Sequence, residues 1–191
     1  MGLLKRSLEL DRDGSYALRV AEKPGTLRSI AMFFAHSGDS WFWGLGMIIL
    51  WELGSTLWQQ WAVVELFWIS VLAALVITLK FSIRRKRPAG EWGAIYRNTD
   101  PHSFPSGHAA RAFLIAVLGT LLGPTWLAVL LWIWAPLVSL ARVAMGVHYI
   151  SDVIAGALVG ILVALLGWQL SGPIFSQINI WLVSAFGILL W

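Results

Sequence analysis

His148 and Asp152 stand four positions apart in the stretch Arg142-Val-Ala-Met-Gly-Val-His148-Tyr-Ile-Ser-Asp152, so a continuous helix puts them on one face. A carboxylate that holds one imidazole nitrogen fixes the tautomer and leaves the other nitrogen free to attack an electrophile. The plainer role for Asp152 is a helix-terminal charge that reaches water. An unpaired carboxylate at the end of an apolar helix is expensive, however, and the pairing with His148 beside Arg142 favours chemistry. A second stretch, Phe104-Pro105-Ser106-Gly107-His108, opens another apolar run. The free N–H groups of a helix start bind anions, and Gly107 allows close approach. Ser106 is either the cap of that helix or a hydroxyl donor to an anion. His108, in the first turn, is placed to give a proton to a departing oxygen. A third stretch, Lys80-Phe-Ser-Ile-Arg-Arg-Lys-Arg87-Pro88, offers a compact ammonium and a forked guanidinium, both suited to phosphate oxygens. The whole stretch can also be a juxtamembrane basic cluster that meets anionic headgroups, and Arg84, Arg85 and Lys86 read that way, while for Lys80 and Arg87 both roles stand on the residues alone.

The elements that carry these residues must be membrane helices. Of 191 residues 58% are apolar and only 13% charged, with 13 Trp and no Cys. This composition excludes a soluble globular domain and a disordered chain, and it leaves no thiolate chemistry and no disulfide. A membrane-spanning helix takes about 20 apolar residues, and six runs qualify: 41–57, 61–80, 107–123, 125–144, 149–170 and 174–191. Gly54 to Thr56, Gly123-Pro124-Thr125 and Ser171-Gly172-Pro173 read as tight turns between antiparallel helices. The long connection 81–106 stands apart as a functional loop. Residues 1–40 form a polar N-terminal segment, in which Pro24 to Phe34 reads as an amphipathic interfacial helix entering the first span through a Ser37 or Asp39 cap. Residues 41–191 form one transmembrane domain. With six spans, all 14 Lys and Arg fall on one face, and Trp58, Trp61, Trp126 and Trp168 mark the other. The expected fold is therefore all-α, a six-span bundle with an interfacial N-terminal segment, its basic face and both termini cytoplasmic in a cell membrane. Gly156 and Gly160 read as a close helix-packing step. Glu91, Trp92, Tyr96, Arg97, Asp100 and His102 on the loop could shape headgroup choice, or simply be a wet loop. His36 reads as interfacial, and Glu52 and Glu65 as paired or interfacial.

Taken together, Lys-x6-Arg-Pro, Pro-Ser-Gly-His and Arg-x5-His-x3-Asp, in that order on consecutive spans, resemble the type 2 phosphatidic acid phosphatase superfamily, whose fold is shared with vanadium haloperoxidases. The third motif commonly begins Ser-Arg, where this chain has Ala141-Arg142. The resemblance implies that His148 is the nucleophile of a phosphohistidine intermediate, oriented by Asp152. It implies that His108 protonates the leaving group and then activates water, and that Lys80, Arg87, Arg142, Ser106 and Gly107 hold the phosphoryl oxygens. Three fixed cations suit a transfer dominated by positioning and electrostatics, so neither metal nor cofactor is expected. The implied substrate is a lipid phosphate or diphosphate of the phosphatidic acid, phosphatidylglycerophosphate or undecaprenyl diphosphate type. Membrane lipids are the surroundings and nucleic acid is not a partner. A lipid phosphotransferase with an alcohol acceptor is the nearest alternative, and a non-catalytic lipid-binding or transport protein is a further one.

Overall fold

The computed structural model describes residues 2–90, 92 and 100–186. Its elements are α1 (Leu3–Ala17), α2 (Thr26–Ser37), α3 (Ser40–Leu53), α4 (Thr56–Ile83), α5 (Gly107–Leu122), α6 (Thr125–Ala144) and α7 (Ile150–Phe186). Three of them, α4, α6 and α7 to Ile180, are long and apolar enough to cross a membrane, and α3 and α5 are shorter apolar helices. Among the described residues there is no strand, only a lone bridge joining Lys86 to His102.

Helix ends follow the local chemistry. Gly54 and Ser55 break α3 from α4, and Gly123-Pro124 breaks α5 from α6. Arg84 closes α4 in a left-handed conformation (φ 54). Gly146, at φ 67, turns the chain between α6 and α7 in a conformation that side-chain-bearing residues rarely adopt.

Buried apolar residues of four helices make the main core: Trp68, Leu72 and Val76 of α4, Leu114, Ile115 and Leu118 of α5, Ala135 and Val138 of α6, and Val163, Ala164 and Phe175 of α7. α7 lies directly on α5 because Gly156 and Gly160 face it. A Cβ at Gly156 would strike the Ser106 carbonyl, and one at Gly160 the Ala110 carbonyl. The close-packing role read from Gly156 and Gly160 is what the structure contains.

Two expectations require correction. Ser171-Gly172-Pro173 is no turn: α7 runs through it, so the fifth and sixth expected spans are one helix and residues 187–191 lie outside the described residues. Proline removes one backbone donor, the one that would bond the Gln169 carbonyl, which membrane helices tolerate. Two residues before it, Ser171 is buried. Its hydroxyl donates to the Gly167 carbonyl at 2.7 Å and accepts from Trp68 Nε1 at 2.9 Å. The described part of α7 does not turn back toward the basic face, so the expected sixth span is not a separate helix. Second, Glu65 is neither paired nor interfacial; it is fully buried on α4, and neither oxygen has a hydrogen-bond partner among the described residues.

The N-terminal segment is helical twice over. α2 covers most of the stretch read as amphipathic and buries Ala31 and Ala35 against Ala141 and Met145 of the α6 end, while Leu27, Ile30 and Phe33 stay exposed. Asp39 occupies the position before α3, as expected of a cap, but its side chain makes no capping bond.

Candidate active site

The three sequence motifs meet where α4, α5 and α7 reach the same end of the bundle. Gly146 begins the turn that swings His148 back over this end, and a main-chain hydrogen bond from Ser106 N–H to the Asp152 carbonyl (2.9 Å) ties the second motif to the third. His148 is 2% exposed and Asp152 not at all. Asp152 Oδ2 stands 3.5 Å from His148 Nδ1 and accepts the Tyr149 N–H at 2.9 Å. On the other side of the ring, Arg87 Nη1 lies 3.3 Å from His148 Nε2 and donates to the Val147 carbonyl at 2.9 Å. One ring nitrogen therefore faces a carboxylate and the other a guanidinium. Burial, followed by the charges of Arg87, Arg142 and Lys80, holds the His148 imidazole well below its ordinary pKa, so it stays neutral and nucleophilic at neutral pH.

The cations converge as the spacing implied. Lys80 Nζ donates to Asp100 Oδ2 at 2.7 Å, to Asp100 Oδ1 at 2.9 Å and to the His102 carbonyl at 2.8 Å. Arg87 Nη2 donates to the same Asp100 Oδ2 at 2.7 Å, and Arg87 Nε to the Asp100 backbone carbonyl. The loop carboxylate thus spans both cations in the manner of a phosphoryl group. Arg142 is buried at the end of α6, close enough for its charge to act on Lys80, His108 and His148.

Ser106 is the cap of α5: its Oγ accepts the Ala109 N–H at 3.5 Å. A long capping bond leaves the hydroxyl proton available to an anion. Gly107 and His108 line a cavity of ≈ 390 Å³ together with Lys80, Asp100 and Arg111 and with Leu72, Ala73, Val76 and Ile77 of α4. A cavity lined by both charged and apolar groups suits an amphiphile whose charged group meets the cations. Among the described residues no three of His, Asp and Glu gather as a metal-ligand set.

The family model of the PAP2 superfamily matches residues 61–175, more than half of the chain. The chain belongs to this superfamily. Among PAP2 relatives, a lipid A 1-phosphatase of Porphyromonas gingivalis is 34% identical over 63% of the chain and 26% of its own length. An undecaprenyl-diphosphatase of Sulfolobus acidocaldarius is 39% identical over 56% of the chain and 55% of its own length. The chain thus matches about a quarter of the first and about half of the second. Two solved PAP2 structures share the fold. Aquifex aeolicus LpxE has a TM-score of 0.66 at 28% identity, covering 85% of this chain and 94% of that one. The phosphatidylglycerolphosphate phosphatase of Bacillus subtilis has a TM-score of 0.66 at 24% identity, covering 88% of each.

Around this PAP2 site the structure adds residues that the motifs do not contain. Arg85, read as a headgroup contact, turns inward: Nη1 donates to Asp152 Oδ1 at 2.7 Å and to Ser151 Oγ at 2.6 Å, and Nη2 to Asp11 Oδ2 at 2.7 Å. The left-handed close of α4 at Arg84 redirects the chain and separates Arg85 from its basic neighbours, whereas Arg84 itself remains exposed. α1 docks on the start of α7, where Asp11 Oδ1 accepts the Ser151 N–H and Ser15 Oγ the Ile150 N–H, each at 2.9 Å. Of the loop residues, Asp100 bonds the cations and His102 stacks edge-on against Phe81. Trp92 packs beside Arg28 and His36, and Glu91, Tyr96 and Arg97 lie outside the described residues.

Proposed function

We propose that the protein is a membrane-embedded lipid phosphatase that hydrolyses a lipid phosphate or diphosphate through a phosphohistidine intermediate. The observation that carries this reading is His148 itself, a buried neutral imidazole with Asp152 at Nδ1 and Arg87 at Nε2; Lys80, Gly107 and His108 of the same three motifs line the cavity with apolar α4 residues. His148 Nε2 attacks phosphorus, the bond to the lipid oxygen breaks, and His108 gives that oxygen its proton. Lys80, Arg87 and Arg142, with the Ser106 hydroxyl and the Gly107 N–H, take the charge on the three equatorial oxygens. Asp152 stabilises the ring as it becomes cationic. His108, now neutral, removes a proton from water, which attacks phosphorus and releases His148 and inorganic phosphate.

The apolar lining residues Leu72, Ala73, Val76 and Ile77 would take the first carbons of the chain. The substrates in the names of the PAP2 relatives, lipid A phosphate, undecaprenyl diphosphate and phosphatidylglycerophosphate, share this pairing of a phosphate with a long apolar tail. The basic end of the bundle, with the site, faces the cytoplasm, residues 41–191 act as one catalytic domain, and α2 rests its exposed Leu27, Ile30 and Phe33 in the headgroup region.

The test is phosphate release by purified protein in detergent from a panel of these lipids, with radiolabelled phosphate trapped on the protein by quenching in alkaline detergent, where a phosphohistidine bond survives. Label on wild type and none on His148→Ala is the expected result; turnover by His148→Ala would refute it. Sidedness is read with Ala89→Cys and Ser55→Cys in a chain with no native Cys. In intact cells an impermeant thiol reagent should label Ser55→Cys and spare Ala89→Cys.

A further inference from the structure

The corner between α2 and α3 is held more firmly than a connection between two apolar helices requires. Arg111, 9% exposed on α5, sends its Nε to the Gly38 carbonyl at 3.1 Å and its Nη1 to Ser40 Oγ at 2.7 Å, with Nη2 also on the Gly38 carbonyl. Trp43 Nε1 donates to the Ser37 carbonyl at 3.0 Å, and Trp134 Nε1 to Ser37 Oγ at 2.9 Å. Gly38 has no room for a side chain, because a Cβ there would meet Val138 at 2.9 Å and the His108 ring at 3.3 Å. Three helices thus fix one residue, Asp39, in front of α5.

Asp39 uses that position on His108. Its Oδ1 lies 2.8 Å from His108 Nε2, and its Oδ2 lies 3.1 Å from Nδ1 of the half-exposed His36. Partial burial works against ionisation, but hydrogen bonds from His108 and His36 outweigh it and hold the Asp39 carboxyl well below the usual carboxylate range. A carboxylate can only accept, so Nε2 of His108 carries a proton in both charge states and Nδ1 is the nitrogen that gains and loses one. The other charges acting on His108 are cationic, Arg142 from α6 and Arg111 from its own helix, and Lys80 and Asp100 line the same cavity. Asp39 is thus the anion that works against burial and two guanidinium groups, all of which disfavour a proton on this ring.

We infer that Asp39 is the positioning residue of the acid–base histidine, fixing the His108 tautomer and stabilising its protonated form, the counterpart of the role proposed above for Asp152 at the opposite ring nitrogen of His148. The inference rests on the phosphatase reading above. It assigns the N-terminal 40 residues a part in leaving-group departure.

The experiment compares wild type, Asp39→Asn, Asp39→Glu, His108→Ala and the double variant Asp39→Asn/His108→Ala, each as full chain in detergent. The substrates are phosphatidic acid, with a poor alkoxide leaving group, and 4-nitrophenyl phosphate, with a good one. General acid catalysis is worth about 10²–10⁴ in rate. Asp39→Asn should therefore lower kcat on phosphatidic acid about 10- to 100-fold and on 4-nitrophenyl phosphate by less than about threefold, with KM nearly constant. The alkaline limb of kcat/KM should move to lower pH, because the protonated form of His108 has lost its anion. Asp39→Glu should keep that limb near the wild-type position, and in the His108→Ala background Asp39→Asn should cost nothing further. Equal losses on both substrates, an unmoved alkaline limb, or a further loss in the double variant would overturn the assignment. If Asp39→Asn does not fold, the limb position in Asp39→Glu decides alone. A wild-type protein that releases no phosphate from any lipid refutes the phosphatase reading; an active wild type with leaving-group-independent Asp39→Asn refutes only this one.

Discussion

Replacing Arg85 with Ala tests whether the nucleophile's aspartate is itself held in place. Arg85 bridges two carboxylates, with Nη1 on Asp152 Oδ1 and Nη2 on Asp11 Oδ2, both at 2.7 Å. Its side chain is 21% exposed against 12% for Asp11 and 0% for Asp152, so neither acid can exchange the lost guanidinium for bulk water. Breaking a buried pair by removing one partner costs about 3–5 kcal/mol. The partial exposure of Arg85 and the remaining Tyr149 N–H bond to Asp152 put the expected loss near the lower end, about 3 kcal/mol. For a chain of this size that corresponds to a fall in melting temperature on the order of 10 °C, read by thermal denaturation in detergent. kcat should fall about 10- to 100-fold, or roughly 1.4–2.7 kcal/mol of barrier, because Asp152 is no longer held against His148. Arg85→Lys cannot fork between two acids and should be intermediate. In Arg85→Ala two unscreened carboxylates face each other, so adding Asp11→Asn should recover about 1 kcal/mol. An Arg85→Ala protein within about 1 kcal/mol of wild-type stability and at full kcat would refute the reasoning; a headgroup-contacting Arg85 would behave in that way.

Four further outcomes are expected. His148 must be neutral to attack and its pKa is lowered, so kcat/KM should hold as pH falls through 6.5 and decline only below it, at the depressed value. A decline centred at or above 6.5 in the pH–rate profile would count against His148 as nucleophile. The same shift makes the folded protein lose stability as pH falls below 6.5, where the unfolded chain takes up the proton that the buried ring resists. Asp100→Asn removes the carboxylate that Lys80 and Arg87 share, so KM for a lipid phosphate and the inhibition constant of inorganic phosphate should both drop several-fold in steady-state assays. Turnover should survive EDTA and be blocked by vanadate, a phosphate mimic that the same cations would hold; restoration by magnesium after EDTA would place a metal in the mechanism.

The motifs were legible because each packs several reacting residues into a short stretch whose geometry is set locally. His148 and Asp152 meet because they lie four apart at a helix start, and Gly123-Pro124 separates α5 from α6 because those residues break helices anywhere. The expected 107–123 and 125–144 accordingly match Gly107–Leu122 and Thr125–Ala144 closely. Asp11 and Asp39 were not legible as site residues, since they reach Arg85 and His108 across 74 and 69 positions through packing that no local pattern encodes. In Arg84-Arg85-Lys86-Arg87 four cations look alike in sequence. The reversal of the chain at Arg84 decides that 85 and 87 face inward. At Pro173 a residue that breaks helices in water sits inside one.

The length of α7 makes bilayer thickness a variable in the chemistry. Thirty-seven residues of helix extend about 55 Å, against a hydrocarbon layer of about 30 Å. A mismatch of this size is met by tilt, by a kink or by local thickening of the bilayer, each of which depends on the host lipid. Because Gly156 and Gly160 bring its backbone against that of α5, and the turn bearing His148 leads directly into it, a pivot of α7 would displace the imidazole relative to the α5 helix start. Reconstituted into bilayers of graded acyl length, the protein would therefore respond mechanically as well as through substrate solubility, with one lipid thickness at which nucleophile and anion cradle are best aligned.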